Sequence, residues 1–287
     1  MSLTDPLRPA ADAALAAWAE RVRANREQVE QYREAGERPD RYAPIAARFA
    51  RDPRRTDDPA AAALQALARP DDVWLDVGAG GGRYALPLAL RAREVIALDQ
   101  SESMLDVLRA GMAEHGIANV RVVQDRWPVA APPAADVALI AHVGYDVEDI
   151  GPFLDAMERA ARRACVALLA YRRPTWVVDQ LWPAVHGVER AALPALPEFL
   201  ALLLARRRLF EVQLVYEPLQ GYASQEQALT FARLQTWVQP DSAKDQRLRA
   251  ALAAHLSERS GRWAFDWEPV PLGIVTWRPG PAAVGDA

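Results

Sequence analysis

The rhythm of apolar and polar positions changes near residue 70. Before it, the stretch from Arg8 to Ala35 is rich in Ala, Glu, Arg and Leu and has no glycine before Gly36, a pattern that predicts one long amphipathic helix. Pro39 interrupts it, and a second short helix is expected over Tyr42 to Phe49. Asp57-Asp58-Pro59 has the form of an N-cap with proline in the first turn, opening a helix over Ala60 to Ala68 that Pro70 stops. After that point, short apolar runs alternate with helical segments. Strands are expected at Val73 to Val77, Val95 to Leu98, Val120 to Val123, Val137 to Ala141 and Cys165 to Tyr171, with helices at Arg83 to Leu90, Ser101 to Glu114 and Ile150 to Arg163. Near-continuous apolar strands alternating with helices predict a parallel sheet covered on both faces. Right-handed crossovers make it doubly wound, with ligands at the carboxyl ends of the strands near the switch point.

Beyond the fifth strand the expected elements are a helix at Pro194 to Arg208, a strand at Phe210 to Tyr216, and helices at Ser224 to Trp237 and Ser242 to Arg259. The alternation from Trp263 to Trp277, broken by Pro269 and Pro271, predicts a last strand at the sheet edge. Domain boundaries follow from these changes: an N-terminal helical extension over 1–69, a sheet domain over 70–278 with a helical insertion at about 221–260, and a disordered tail over 279–287.

Composition narrows the function classes. The 287 residues carry a formal net charge of −4, which speaks against a broad nucleic-acid-binding surface. Lys244 is the sole lysine, so Schiff-base chemistry has almost nothing to use. One cysteine, Cys165, excludes an intramolecular disulfide and a multi-cysteine zinc site, and no metal is expected. The amino terminus lacks the pattern of a signal peptide, and no apolar run is long enough for a membrane span, so a cytoplasmic location is expected.

The chemistry concentrates at Val73-Trp74-Leu75-Asp76-Val77-Gly78-Ala79-Gly80-Gly81-Gly82-Arg83. A strand ends near an acid, a glycine turn follows, and a helix starts at once. Gly78 permits a tight turn, Gly80 a close backbone approach to a ligand, and the helix N-terminus offers free N–H groups. A dinucleotide fingerprint, G-x-G-x-x-G, would need glycine at position 83, where this chain has Arg83. Asp76 would repel a diphosphate and would suit an ammonium group.

On these residues the chain resembles the class I S-adenosylmethionine-dependent methyltransferases, whose motif is an acid followed by G-x-G-x-G. The resemblance covers roughly Pro70 to Tyr171. It implies a doubly wound, mostly parallel seven-stranded α/β sheet with an N-terminal helical extension and helices inserted before the last strand. It also implies S-adenosylmethionine as cofactor, with Asp76 and the loop of Gly78, Ala79, Gly80 and Gly82 holding its methionine part. Asp99 at the end of the second strand would accept both ribose hydroxyls, since a carboxylate has two acceptor oxygens to span a diol. Gln100 and Met104 would line the adenine pocket. The acid that often meets the adenine amino group aligns with Arg126, so either Asp125 or backbone near Arg126 and Trp127 would take that role; Trp127 is also a candidate for stacking on adenine or for core packing.

The loop after the fourth strand, His142-Val143-Gly144-Tyr145-Asp146, would face the reactive methyl. His142 is a candidate general base, with a purely structural or cofactor-contacting role as its alternative. Tyr145 and Asp146 are candidate substrate contacts. Arg41, Arg48, Arg51, Arg54 and Arg55 form either an anion-binding edge near the cofactor carboxylate or a solvated helical face. Trp176, Trp182, Tyr222 and Trp237 either line an apolar substrate pocket or pack in the core. No Asn-Pro-Pro-aromatic tetrad follows the fourth strand and no Pro-Cys pair is present. Methyl transfer to a small molecule is therefore expected, with a nicotinamide-dependent oxidoreductase and a non-catalytic S-adenosylmethionine-binding protein as the alternatives. Homo-oligomerisation stays open.

Overall fold

The computed structural model describes residues 10–34, 36, 39–40, 42–173, 176–217 and 221–280. Helix α1 (Ala11–Tyr32) is followed by a 3-10 helix (Ala43–Phe49) and α2 (Pro59–Leu67). Asp58 caps α2 as its sequence predicts, accepting from Ala61 N at 3.0 Å, with Pro59 in the first turn. Arg8, Ala35 and Arg41 lie outside the described residues, as does the tail over 281–287.

The sheet alternates strands and helices: β1 (Val73–Val77), α3 (Ala85–Ala89), β2 (Glu94–Asp99), α4 (Glu102–His115), β3 (Val120–Gln124), β4 (Ala135–Ala141), α5 (Ile150–Ala160) and β5 (Ala161–Ala170). Four helices follow the fifth strand and flank the sixth: α6 (Trp176–Asp179), α7 (Trp182–His186) and α8 (Leu196–Ala205), then β6 (Phe210–Val215) and α9 (Gln225–Thr236). Helix α10 (Ala243–His255), the hairpin β7 (Leu256–Arg259) and β8 (Arg262–Phe265), and β9 (Leu272–Trp277) complete the chain. Strand order in the sheet is β3-β2-β1-β4-β5-β9-β6, parallel except for β9, which runs antiparallel to both neighbours. The order reverses between β1 and β4, so the switch point lies at their carboxyl ends.

Period-two alternation sorts each strand onto two cores. Val73, Leu75, Val77, Ile96, Leu98, Ala138 and Ile140 face the core that α1, α5 and α8 cover. Trp74, Val95, Ala97, Val137 and Leu139 face the core beneath α2, α3 and α4. By the same alternation Asp76, Asp99 and Ala141 fall on this second face, at the ends of neighbouring strands. A third cluster, including Val178, Leu181, Tyr222, Leu248 and Phe265, gathers α6, α7, α9, α10 and the hairpin into one satellite body.

Three expectations are corrected. The helix expected to Arg163 ends at Ala160, because Ala161 already pairs with Ala135 and Arg163 reaches Asp72 at 2.5 Å. The helix expected to Arg259 ends at His255 and gives way to the β7–β8 hairpin, whose turn residues Ser260 and Gly261 both have positive φ. The last strand is interior rather than at the edge: Pro269 and Pro271 precede its ladder, and β6 takes the edge.

Candidate functional site

The glycine turn leaves β1 in left-handed backbone, with φ of 75° at Gly78, 54° at Gly80 and 82° at Gly82. Space as well as conformation demands glycine at both ends of this turn. A Cβ at Gly78 would stand 2.5 Å from Val143 Cγ2, and one at Gly82 would stand 2.4 Å from Leu108 Cδ1. The turn is fastened to β2: Gly78 N and Ala79 N donate to Leu98 O at 2.7 and 3.1 Å, and Gly80 N donates to Asp99 Oδ2 at 2.8 Å.

Two carboxylates meet here. Asp99 accepts from Ser101 N through its other oxygen at 2.8 Å, so each oxygen keeps a lone pair for a further donor. Asp76 is 1% exposed, and its Oδ1 has no hydrogen-bond partner among the described residues. Burial first, then repulsion from Asp99, pushes its carboxyl up to about 7. Ionising a buried acid that lacks a partner is costly, so any cation or donor that reached Asp76 Oδ1 would stabilise its charged form.

Across the switch point, His142 follows β4 with φ of 58°, a conformation that strains a residue bearing a side chain. Its N donates to Leu168 O at 2.9 Å, and its Nε2 lies 3.3 Å from the Tyr84 hydroxyl. Burial, and then the positive charge of Arg83, pull its imidazole down to about 3. Its Nδ1 has no partner among the described residues. His142 is therefore neutral throughout the physiological range.

A family profile described as a methyltransferase domain matches residues 75–164, which run from β1 into β5. The match thus covers about a third of the chain. In fold, the chain is similar to the protein YcgJ of Bacillus subtilis, with a TM-score of 0.53 at 16% identity over 77% of this chain and 97% of that one. It is also similar to a Bacillus halodurans C-125 protein assigned as a methyltransferase, with a TM-score of 0.54 at 14% identity over 78% and 100%. In sequence, a tRNA/tmRNA (uracil-C(5))-methyltransferase of Pseudomonas entomophila is 37% identical over 62 residues, 22% of this chain and 17% of that protein. A Haemophilus influenzae protein of no stated function is 31% identical over 103 residues, 35% of this chain and 38% of that one. The chain thus spans about a sixth of the length of the first of these curated relatives.

The fold brings together Asp76, Gly78, Ala79, Gly80, Gly82, Asp99 and Met104, whose Cε would lie 2.9 Å from a Cβ at Gly80. Gln100 and Asp125 are exposed beside Asp99, and Asp125 N donates to Asp99 O at 3.1 Å. Arg126 is also exposed, and its N donates to Asp125 Oδ1 at 2.7 Å. Of the two roles open to Trp127, packing fits its position: the indole is buried, crosses Phe153 edge-on, and donates to Phe153 O at 3.2 Å. Tyr145 likewise sits in the core rather than open on the loop, its hydroxyl accepting from Ala170 N at 2.7 Å. Asp146 is exposed on the same loop. Cys165 is fully buried, and burial drives its thiol upward. Trp182 is fully buried against His186, and Tyr222 is buried beneath Arg48. Trp176 and Trp237 are half-buried in the same satellite body, Trp237 as the left-handed cap of α9. Among the described residues, no group of three His, Cys, Asp or Glu is placed to hold a metal, and no helix is long and apolar enough to cross a membrane.

Sequence reasoning did not single out Arg83, Tyr84, Asp40 or Glu217. Arg83 joins Asp58 at 3.0 Å to Glu217 at 2.6 Å, and Asp40 accepts from Ser101 Oγ at 2.9 Å and from Ser103 N at 3.1 Å at the start of α4. Arg83 and Tyr84 were adjacent to the glycine motif, a signal that was available. The long-range pairing with Glu217 had none.

Proposed function

We propose that this protein transfers the methyl group of S-adenosylmethionine to a small-molecule acceptor. The observation that carries the reading is Asp76: a fully buried carboxylate with an unpartnered oxygen, set behind a glycine turn that no side chain can enter. A cationic ammonium satisfies such an acid and draws off its proton, whereas a diphosphate is repelled by it. Asp76 and the Gly78–Gly82 backbone would hold the amino-acid end of the cofactor. Asp99 would hold the ribose diol through the lone pairs left on its two oxygens, with Gln100, Met104 and Asp125 around the base.

When bound, the cofactor supplies an electrophilic methyl on a sulfonium, open to displacement by an O, N or C nucleophile. This chain's residues orient and shield. Holding both reactants aligned contributes roughly 7–11 kcal/mol in favourable cases. His142 stands at the end of β4 as the proton acceptor, fixed by its bond to β5 and by the Tyr84 hydroxyl. With its imidazole near 3, it takes a proton that the acceptor surrenders as attack proceeds, rather than one removed beforehand. Asp146 is an exposed candidate contact for the acceptor.

A small molecule is favoured over nucleic acid by the net charge of −4 and by the His-Val-Gly-Tyr-Asp sequence after β4. The Pseudomonas relative is named for methylation of uracil at C5, a ring carbon whose activation by an attacking thiolate would need an accessible cysteine. The lone thiol here lies fully buried in β5, paired on either side by β4 and β9.

Titration calorimetry with S-adenosylhomocysteine and with NADH tests the reading. Saturable binding of the former alone is expected; tight binding of NADH with none of S-adenosylhomocysteine would overturn it. Screening small-molecule acceptors with labelled cofactor then identifies the substrate.

A further inference from the structure

Five arginines crowd the flank of the glycine turn. Arg48, Arg51 and Arg55 come from the N-terminal extension, Arg83 from the turn itself, and Arg262 from the β7–β8 hairpin. The three segments meet closely: Phe49 Cβ would be 3.0 Å from a Cβ at Gly81, and Tyr222 pairs with Trp263 beside Arg262, N to O at 2.6 Å.

The acids in this group each face an arginine, although Glu217 Oε1 has no hydrogen-bond partner among the described residues. Asp58 and Glu217 both serve Arg83, and Arg55 takes Asp57 at 2.8 Å with Asp58 at 3.7 Å. Arg262 donates to a neutral oxygen, Gly221 O, at 2.6 Å, and Arg51 donates to Arg48 O at 2.5 Å. Burial, then the charges of Arg83, Arg55, Arg48 and Arg262, push the Arg51 guanidinium downward, so cations set the field at this point.

Arg48 lies with its guanidinium carbon 4.3 Å from the Tyr222 ring centre and 5.0 Å from that of Phe231. Stacking on ring faces fixes the plane of a guanidinium; part of the Arg48 fork also meets the Tyr222 side chain, and the rest is left for another partner. Arg48 Nη1 is shut off from solvent and has no hydrogen-bond partner among the described residues. A half-buried cation with an idle donor, among further cations, is arranged for an anion with planar or tetrahedral oxygens.

We propose that Arg48, with Arg51 and Arg262 beside it, seats an anionic group of the methyl acceptor, a carboxylate or a phosphate. This rests on the methyltransferase reading above. The placement suits it: Arg83 adjoins Tyr84, which meets His142 at 3.3 Å, and the charge of Arg83 acts on both His142 and Arg51, which links the arginine group to the end where methyl transfer would occur.

The test uses the full chain saturated with S-adenosylhomocysteine, titrated with inorganic phosphate in one arm and succinate in the other. Saturable binding in at least one arm is expected, and the arm that binds distinguishes phosphate from carboxylate. Arg48→Met is expected to weaken that binding roughly tenfold or more, the loss of one charge-assisted hydrogen bond, and to leave S-adenosylhomocysteine affinity unchanged. Arg262→Met, at an exposed side chain, gives a second reading if Arg48→Met does not fold. Absence of saturable binding in both arms overturns the proposal. So does an equal loss of S-adenosylhomocysteine affinity in Arg48→Met, which assigns the arginines to the cofactor carboxylate instead. If wild-type protein binds phosphate or succinate through these arginines but not S-adenosylhomocysteine, the anion seat stands and the methyltransferase reading fails.

Discussion

Replacing Asp76 by Asn isolates the cost of the buried acid. The side chains are nearly isosteric, so packing is kept and the charge is removed. The Asp76 carboxyl is raised from 3.8 to about 7. That rise amounts to about 4 kcal/mol of stability lost when the acid ionises in the folded protein. The sign follows from proton binding. Between pH 3.8 and 7 the folded chain holds a proton that the unfolded chain releases, so the contribution is fully present below pH 3.8 and lost as pH rises through 7. The Asn amide introduces unpaired donors of its own, which take back about 1–3 kcal/mol. The net expectation is a variant about 1–3 kcal/mol more stable than wild type at pH 8, a gain of several degrees in Tm, with no gain at pH 4. Urea and thermal melts at pH 4, 6 and 8 read both limbs. Added S-adenosylhomocysteine should narrow or erase that advantage, since ligand at 100 times its Kd contributes about 2.7 kcal/mol to the protein that binds it. A variant no more stable than wild type at pH 8, or a gain as large at pH 4, refutes the reasoning.

Asp99→Ala is expected to weaken S-adenosylhomocysteine binding by about 1.5–3 kcal/mol, measured by calorimetry; unchanged affinity removes the ribose assignment. Gly82→Ala places a Cβ 2.4 Å from Leu108 Cδ1 at a φ of 82°, and a loss of about 2 kcal/mol or more is expected in urea melts. His142→Ala is expected to lower kcat about 10²–10⁴-fold while cofactor affinity holds; a fully active variant eliminates the base.

The sheet and the glycine turn were legible because their signals are local. Apolar runs of strand length marked β1 to β5, the glycine spacing marked the left-handed turn after β1, and Asp58 announced its cap. Alternation alone puts Asp76 and Asp99 on one face. The last third read less well. Ser260-Gly261 was a usable hairpin signal inside what otherwise resembled the end of a helix. The interior place of β9 is set by which strands it pairs with, and no local pattern encodes that. Trp127 and Tyr145 carried the right residue types at the right loops, but their rings turned into the core, where Phe153 O and Ala170 N fasten them. Arg48, Arg51 and Arg55 stood out in the sequence as a basic run, but their meeting with Arg83 and Arg262 is legible only in three dimensions, because those two lie well beyond that run along the chain.

Asp76 Oδ1, without a partner among the described residues and set just before the glycine bend, is the atom whose ligand decides between an ammonium and a diphosphate. A crystal structure with S-adenosylhomocysteine measures this directly. The ligand's ammonium nitrogen is expected within hydrogen-bonding distance of Asp76 Oδ1, with its ribose hydroxyls on Asp99. An ammonium group turned away from Asp76, or a diphosphate of added NADH resting against residues 76–82, would contradict it.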